Sequence, residues 1–151
     1  NVTTDLGKLV LQLKTNNVPM TRAAWLMSPR SEHYLMTVLN TNGVFVYRDE
    51  MLTGRLWGRP FGATTSIPEN LTVGSNSDCS ELYLVDFDDA VIGDSQRLIV
   101  DVSQEAAYHD GSSVVAAYSQ DQTVVRAISE HDFAMRDSNA VAVLTGVRWG
   151  V

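Results

Sequence analysis

Histidines and clustered aspartates are the residues of this chain whose types could do chemistry. His109-Asp110 and His131-Asp132 each set an imidazole beside a carboxylate, the donor types a hydrolase uses to hold a water-activating metal. Metal-dependent phosphohydrolases need a further His and a distant Asp on an all-helical scaffold, whereas both dipeptides here fall at expected strand ends or turns. His33 is the remaining histidine. Ordinary surface histidines are the stronger reading, and a small metal-assisted hydrolase using His109, Asp110, His131 and Asp132 is the alternative from another class. Asp86, Asp88, Asp89 and Asp94 form the densest acidic cluster. Calcium favours such oxygens, but the calcium loop wants a Gly at its sixth position and a Glu at its twelfth. Val91 and Arg97 stand there when counting from Asp86, so a solvated acidic turn is expected.

Other reactive constellations are missing. No serine lies in G-x-S-x-G or S-x-x-K, which leaves nucleophilic serine catalysis without support. Neither phosphate-cradling glycine loop, G-x-x-x-x-G-K-[ST] or G-x-G-x-x-G, occurs. Cys79 sits in the polar stretch Asn76 to Ser80 with no nearby His and reads as a bystander thiol. Trp25, Trp57 and Trp149 are far apart and suit core or interface packing better than a ligand cage. No catalytic residue, cofactor or metal ligand is therefore assigned, and no enzymatic activity is expected.

Composition narrows the classes further. With 151 residues and 44% hydrophobic content, the chain can fill one ordinary core. A single Cys excludes an intramolecular disulfide and a Cys-based zinc cluster. Eighteen acidic against eleven basic residues give a formal net charge of −7. The Lys and Arg residues are spread along the sequence, and a phosphate-neutralising surface would need a basic stripe. No specific nucleic-acid partner is expected. No stretch approaches the roughly 20 apolar residues of a membrane span, so no membrane partner is expected either.

The elements that must position these residues are mixed. Leu6, Val10, Leu11 and Leu13 recur at helical spacing over Thr4 to Lys14, with Thr3 or Thr4 as N-cap and Asn16, Asn17 and Pro19 as the stop. Ala23 to Met27 has strand length. Ser28-Pro29 puts a capping side chain before a proline at the first helical position, predicting a helix from Pro29 to Leu39 with Leu35, Met36 and Leu39 inward. A turn at Asn40 to Gly43 and a short strand at Val44 to Tyr47 follow. Arg48 to Cys79, broken by glycines and prolines, is expected to be loop-rich. Leu82 to Phe87 and Leu98 to Val102 read as strands, with Ala90 to Ile92 starting another before a turn at Gly93-Asp94. Ala106 to Tyr108 and Val114 to Tyr118 flank a turn at Asp110 to Ser113. Val124 to Ser129 alternates with period two, and Ala140 to Val147 has the composition of a buried central strand. Strands and helices without regular βαβ alternation predict an α+β domain.

Three segments carry a family likeness: AAWLMSPRSEHYLMTVL from Ala23 to Leu39, LWGRPF from Leu56 to Phe61, and the stretch from Leu98 to Trp149 with LIVDVSQEAAYHDG and DQTVVRAISEHDFAMRDSNAVAVLTGV. In these the chain resembles the carboxy-terminal half of a tailed-phage major capsid protein of the Hong Kong 97 type, a fold also used by encapsulin shells. The resemblance implies a mixed central sheet with flanking helices and an elongated β excursion. It places residues 1–95, completed by 140–151, in the axial domain and 96–139 in part of the peripheral domain. The N-terminal arm, protruding loop and spine helix of the family are lacking here. With Asn1 as the first residue, a cleaved product, a trimmed form or a remnant is expected.

What the resemblance implies for function is a structural subunit of an icosahedral phage or prophage capsid, with an encapsulin-like nanocompartment shell as the alternative within that class. Copies of the chain would self-assemble into pentameric and hexameric capsomers around the genome, in the virion, after assembly in the bacterial host cytoplasm. Scaffold, portal or maturation protease would be partners of the full-length subunit. Carried over by position, contacts near the capsomer axis fall on Arg48, Asp49, Glu50, Met51 and Arg55, and contacts between capsomers on Glu105, Tyr108, His109 and Asp110. Some members weld their shells with a Lys–Asn isopeptide bond assisted by a Glu. Glu130 matches the assisting position, but Thr123 stands where the Asn would be, so no crosslink is expected. Apolar residues on one face of Leu98 to Val102 and Val124 to Ile128 are expected to be exposed for want of the spine helix.

Overall fold

The computed structural model describes residues 1–151, except for the side chains of residues 96 and 97. The chain divides into one unit of Asn1–Ala90 with Met135–Val151 and a second of Val91–Ala134.

The first unit packs helices on a mixed sheet. Helix α1 (Val2–Thr15) is capped by Asn1, whose side chain accepts from the Thr3 amide, so the cap lies two residues before Thr3, the nearer of the two threonines expected. Its buried stripe is Leu6, Leu9 and Leu13, and α1 lies against the chain's last strand and the strand paired with it. Each of those leucines contributes about 1.5–3 kcal/mol on leaving water. Leu11, one of the apolar residues in the helical spacing, is 64% exposed. Strand β1 (Ala23–Met27) is followed by helix α2 (Pro29–Thr37), where the Ser28 side chain accepts from the Ser31 amide and Pro29 opens the first turn as anticipated. The helix stops at Thr37, because Val38 turns extended, and Leu39 is left exposed instead of packing inward.

The expected strand at Val44 to Tyr47 does not form. Only an isolated bridge joins Leu39 and Phe45, and Tyr47 leads into the short helix α3 (Arg48–Met51). The ground from Arg48 to Cys79 is more regular than its glycines suggested. It holds β2 (Arg55–Leu56), β3 (Arg59–Ala63), β4 (Leu71–Val73) and the first residues of β5 (Asn76–Asp86). The glycines serve the turns between strands: Gly58 (φ 72°) and Gly74 (φ 64°) take the left-handed conformation that side chains disfavour. Cys79 consequently lies buried in β5, not in a loop.

Sheet order is β10-β5-β1-β3-β2, where β10 is Val141–Val147, with β4 also pairing β5. β1 runs parallel to β3 and antiparallel to β5, setting Trp25 between Phe61 and Leu84. This center holds the core, with Trp25, Met27, Leu35, Leu56, Leu82 and Leu84 fully buried. The last strand was expected to be central; it stands at the sheet's end, and Val143 is 40% exposed.

In the second unit, strand β6 (Ala90–Ser103) runs through Gly93-Asp94 without the expected turn and pairs with β9 (Val124–Met135). Gly93 stays in the strand where an added Cβ would approach the Asp132 side chain opposite at 3.8 Å. Between them, β7 (Ala107–His109) and β8 (Val114–Ala116) form a small hairpin.

Candidate functional site

The residues singled out for chemistry are held apart. His109 and Asp110 sit at the β7–β8 turn, where His109 Nδ1 accepts from the Gly111 amide at 3.0 Å. Asp110 accepts from the amides of Ser112 (2.8 Å) and Ser113 (2.7 Å). Those backbone donors, Ser113 first, hold the Asp110 carboxyl below the usual carboxylate range. His131-Asp132 was placed at a strand end but lies inside β9, with His131 Nδ1 3.6 Å from Asp94 across the ribbon. His33 is exposed on α2.

The acidic cluster is likewise dispersed into separate pairings. Asp86 is buried and accepts from the amides of Arg22 (3.1 Å) and Asp88 (3.4 Å). Asp88 lies 3.7 Å from Arg22, and Asp89 accepts from Arg136 Nε at 2.9 Å. The expected solvated turn is thus partly buried and cation-matched. Among the described residues, no three His, Cys, Asp or Glu side chains gather as a metal site would need.

What the surface does present are polar loops on a packed scaffold and a bare apolar ribbon. The loop from Arg48 to Arg55 hangs from a core-facing anchor: of the five axis candidates Met51 is buried, at 2% exposed. Tyr47, buried before it, shares a 2.6 Å hydrogen bond with Thr3 Oγ1 of α1. Arg48 lies 4.5 Å over the Phe45 ring, a cation–π contact, and Asp49 is exposed. Glu50 Oε1 accepts from the Gly58 amide at 2.6 Å, and Arg55 Nη1 donates to the Gly58 carbonyl at 3.0 Å. These bonds fix the loop backbone against the β2–β3 turn while leaving its charged tips in water.

In the second unit, Glu105 is exposed, and the Tyr108 hydroxyl shares a 2.9 Å hydrogen bond with Gln122 Oε1, bracing the hairpin. The ribbon exposes Leu98, Val100 and Val102, and with them Ile92, Ile99, Val125 and Phe133. Exposure was expected on one face; it occurs on both, because alternate residues of a strand point to opposite faces and this sheet has two strands. Leu, Ile, Val and Phe exposed together on open strands form an apolar patch of the kind that marks interaction surfaces.

Sequence reading missed the cross-chain arginine anchors. Arg148 forks onto Asp78 with Nε–Oδ1 2.7 Å and Nη2–Oδ2 2.8 Å, fixing the chain after β10 to β5. Its hydrogen bonds hold the Asp78 carboxyl below its usual range. Arg136 closes on Asp89 and also donates its amide to the Asp89 carbonyl at 2.7 Å. Their sequence separation leaves no local signal.

Against known proteins, the model of the phage capsid family matches residues 1–146. The chain is 37% identical over 147 residues to the major capsid protein of Klebsiella oxytoca phage phiKO2, covering 97% of this chain and 34% of that protein. Solved chains from Mycobacterium phage Adephagia and Mycobacterium phage Cain superpose with TM-scores of 0.55 and 0.53. Their identities are 15% and 14%, with coverage of 80% and 87% of this chain and 39% and 44% of theirs, a likeness of fold. The chain thus spans 34% of the length of its curated relative.

Proposed function

This chain belongs to the phage capsid family, and from that premise we propose that it is a structural subunit of a phage or prophage capsid. The observation that carries the reading is the 37% identity to a major capsid protein, sustained over 97% of the chain. The mixed α+β architecture supports the Hong Kong 97 type of capsid fold as the finer assignment. Under this reading residues 1–95, completed by 140–151, form the axial domain and 96–139 part of the peripheral domain, and the separate compact units Asn1–Ala90 with Met135–Val151 and Val91–Ala134 support a division of this kind.

The mechanism is geometric. Identical subunits meet through different patches on either side, and such heterologous contacts close into rings when the rotation is right. Arg48, Asp49, Glu50 and Arg55, held rigid by the Gly58 contacts, would meet neighbours near the capsomer axis. Glu105, Tyr108, His109 and Asp110 on the braced hairpin would meet adjoining capsomers. The apolar ribbon would be covered by other polypeptide in the shell. Copies of the chain are the primary partner, with scaffold, portal and protease acting on the whole subunit; the location is the virion, after assembly in the host cytoplasm.

Peptide mapping of purified particles from a host carrying the sequence tests this. Its peptides should dominate the shell fraction; particles whose shell lacks them would overturn the proposal.

A further inference from the structure

A cleft of about 660 Å³ opens in the first unit, lined among others by Met20, Arg22, Arg55, Trp57, Arg59 and Phe87. Three of the chain's eleven basic residues thus converge on one concavity, in a protein of net charge −7. Register explains how. Arg55 pairs with Pro60 and Leu56 with Arg59, so Trp57 and Gly58 form a two-residue hairpin loop. Both take left-handed conformations (φ 54° and 72°), the hand that a two-residue loop between twisted strands requires. Trp57 spends its side chain against α1, 3.8 Å from where a Cβ on Gly7 would stand. The two flanking arginines therefore issue from one rigid turn.

Their guanidinium groups are oriented by neutral partners. Arg55 Nη1 donates to the Gly58 carbonyl, and Arg59 Nη1 donates to the Trp57 carbonyl at 3.2 Å. Arg59 Nη2 faces Met20 Sδ at 3.9 Å. Among the described residues neither has a carboxylate within ion-pair distance, whereas Arg22, Arg126, Arg136 and Arg148 each do. In a chain with eighteen acidic side chains, two pre-oriented arginines in a cleft without an acid are matched to an acid from outside.

We propose that the Arg22, Arg55 and Arg59 cleft binds a carboxylate-bearing segment of a second copy of this chain. The inference rests on the capsid reading and names one of its contacts. Copies carrying −7 each repel one another, so bringing identical subunits together needs sites where cations of one meet acids of the next. The surface of every copy supplies such acids, for example the exposed Asp49 and Glu105. A cation of one subunit meeting an acid of the next is a heterologous contact, the kind a ring needs.

The test uses the 151-residue chain, its R55Q/R59Q variant and the conservative R55K/R59K. Mass against concentration is followed by light scattering at low and high salt. The native chain should associate more weakly as salt rises, and R55Q/R59Q should need at least about a tenfold higher concentration for the same mass. R55K/R59K should fall between, since Lys keeps the charge without the planar fork. An R55Q/R59Q chain that associates like the native one overturns the proposal. A second measurement separates this from failure of assembly: a hexaglutamate peptide is titrated while the arginine Nε–H and Trp57 indole signals are followed by NMR. Shifts of those signals, lost in R55Q/R59Q, support the cleft even in a chain that stays monomeric. No shift at millimolar peptide overturns it.

Discussion

Replacing Trp25 with Phe tests the packing on which the loops depend. Trp25 is fully buried in the middle of the sheet, between Leu84 of β5 and Phe61 of β3. Its indole Nε1 donates to the Leu56 carbonyl at 2.8 Å, tying the residue just before the Trp57–Gly58 turn to the core. Phenylalanine keeps most of the apolar contact but has no donor. Depriving the buried Leu56 carbonyl of that donor costs about 1–2 kcal/mol. The smaller ring leaves a void worth about 1 kcal/mol more. The sum, about 2–3 kcal/mol, lowers Tm by about 6–9 °C at roughly 3 °C per kcal/mol for a chain of this size. Circular dichroism melts of W25F and of a control, W149F, measure it. Trp149 is only half-buried and stacks on Tyr34 with ring centroids 6.4 Å apart, so its change should cost about 1 kcal/mol or less. A W25F melt within error of the native chain, or milder than W149F, would refute the reasoning.

Three further outcomes follow from the same geometry. Leu6→Ala should destabilise by about 2–5 kcal/mol in urea unfolding, while Leu11→Ala, at a 64% exposed position, should stay within about 0.5 kcal/mol. Because the Arg148 hydrogen bonds lower the Asp78 pKa in the folded state, that contribution is present above the unfolded value of about 4 and is lost as pH falls through the lowered one. An acid titration of stability should therefore be shallower over that window in R148A. The Tyr83 phenol, bonded to Glu81, is pushed up to about 12. Its stabilising share is present below the unfolded value of about 10 and lost as pH rises through the folded one, and in E81Q an ultraviolet titration should move back toward about 10.

Features decided within a few residues were legible in the sequence. Ser28 and Pro29 cap and open α2 by local hydrogen bonding and dihedral preference, and Asp110 closes the β7–β8 turn through its own neighbours' amides. Features decided by partners distant in sequence were not. Asn76 to Ser80 looks like a polar loop until Leu71 pairs with Cys79, and Gly93-Asp94 looks like a turn until β9 lies alongside. The β-branched content of Val141–Val147 signalled a buried strand, yet composition says nothing about which end of the sheet it joins. Aspartates dense along the chain were taken for one solvated cluster, whereas Arg22 and Arg136 reach them from far away and partition them into pairs. The reverse holds for Arg22, Arg55 and Arg59, scattered in sequence and brought together by the β2–β3 hairpin and the approach to β1.

Self-association is the central claim, and the solution mass of the chain over a wide range of concentrations, with negative-stain images of the same samples, tests it most directly. The account predicts a mass that rises with concentration and images of five- or six-membered rings or pieces of shell. A monomer at every concentration, with featureless images, would contradict it.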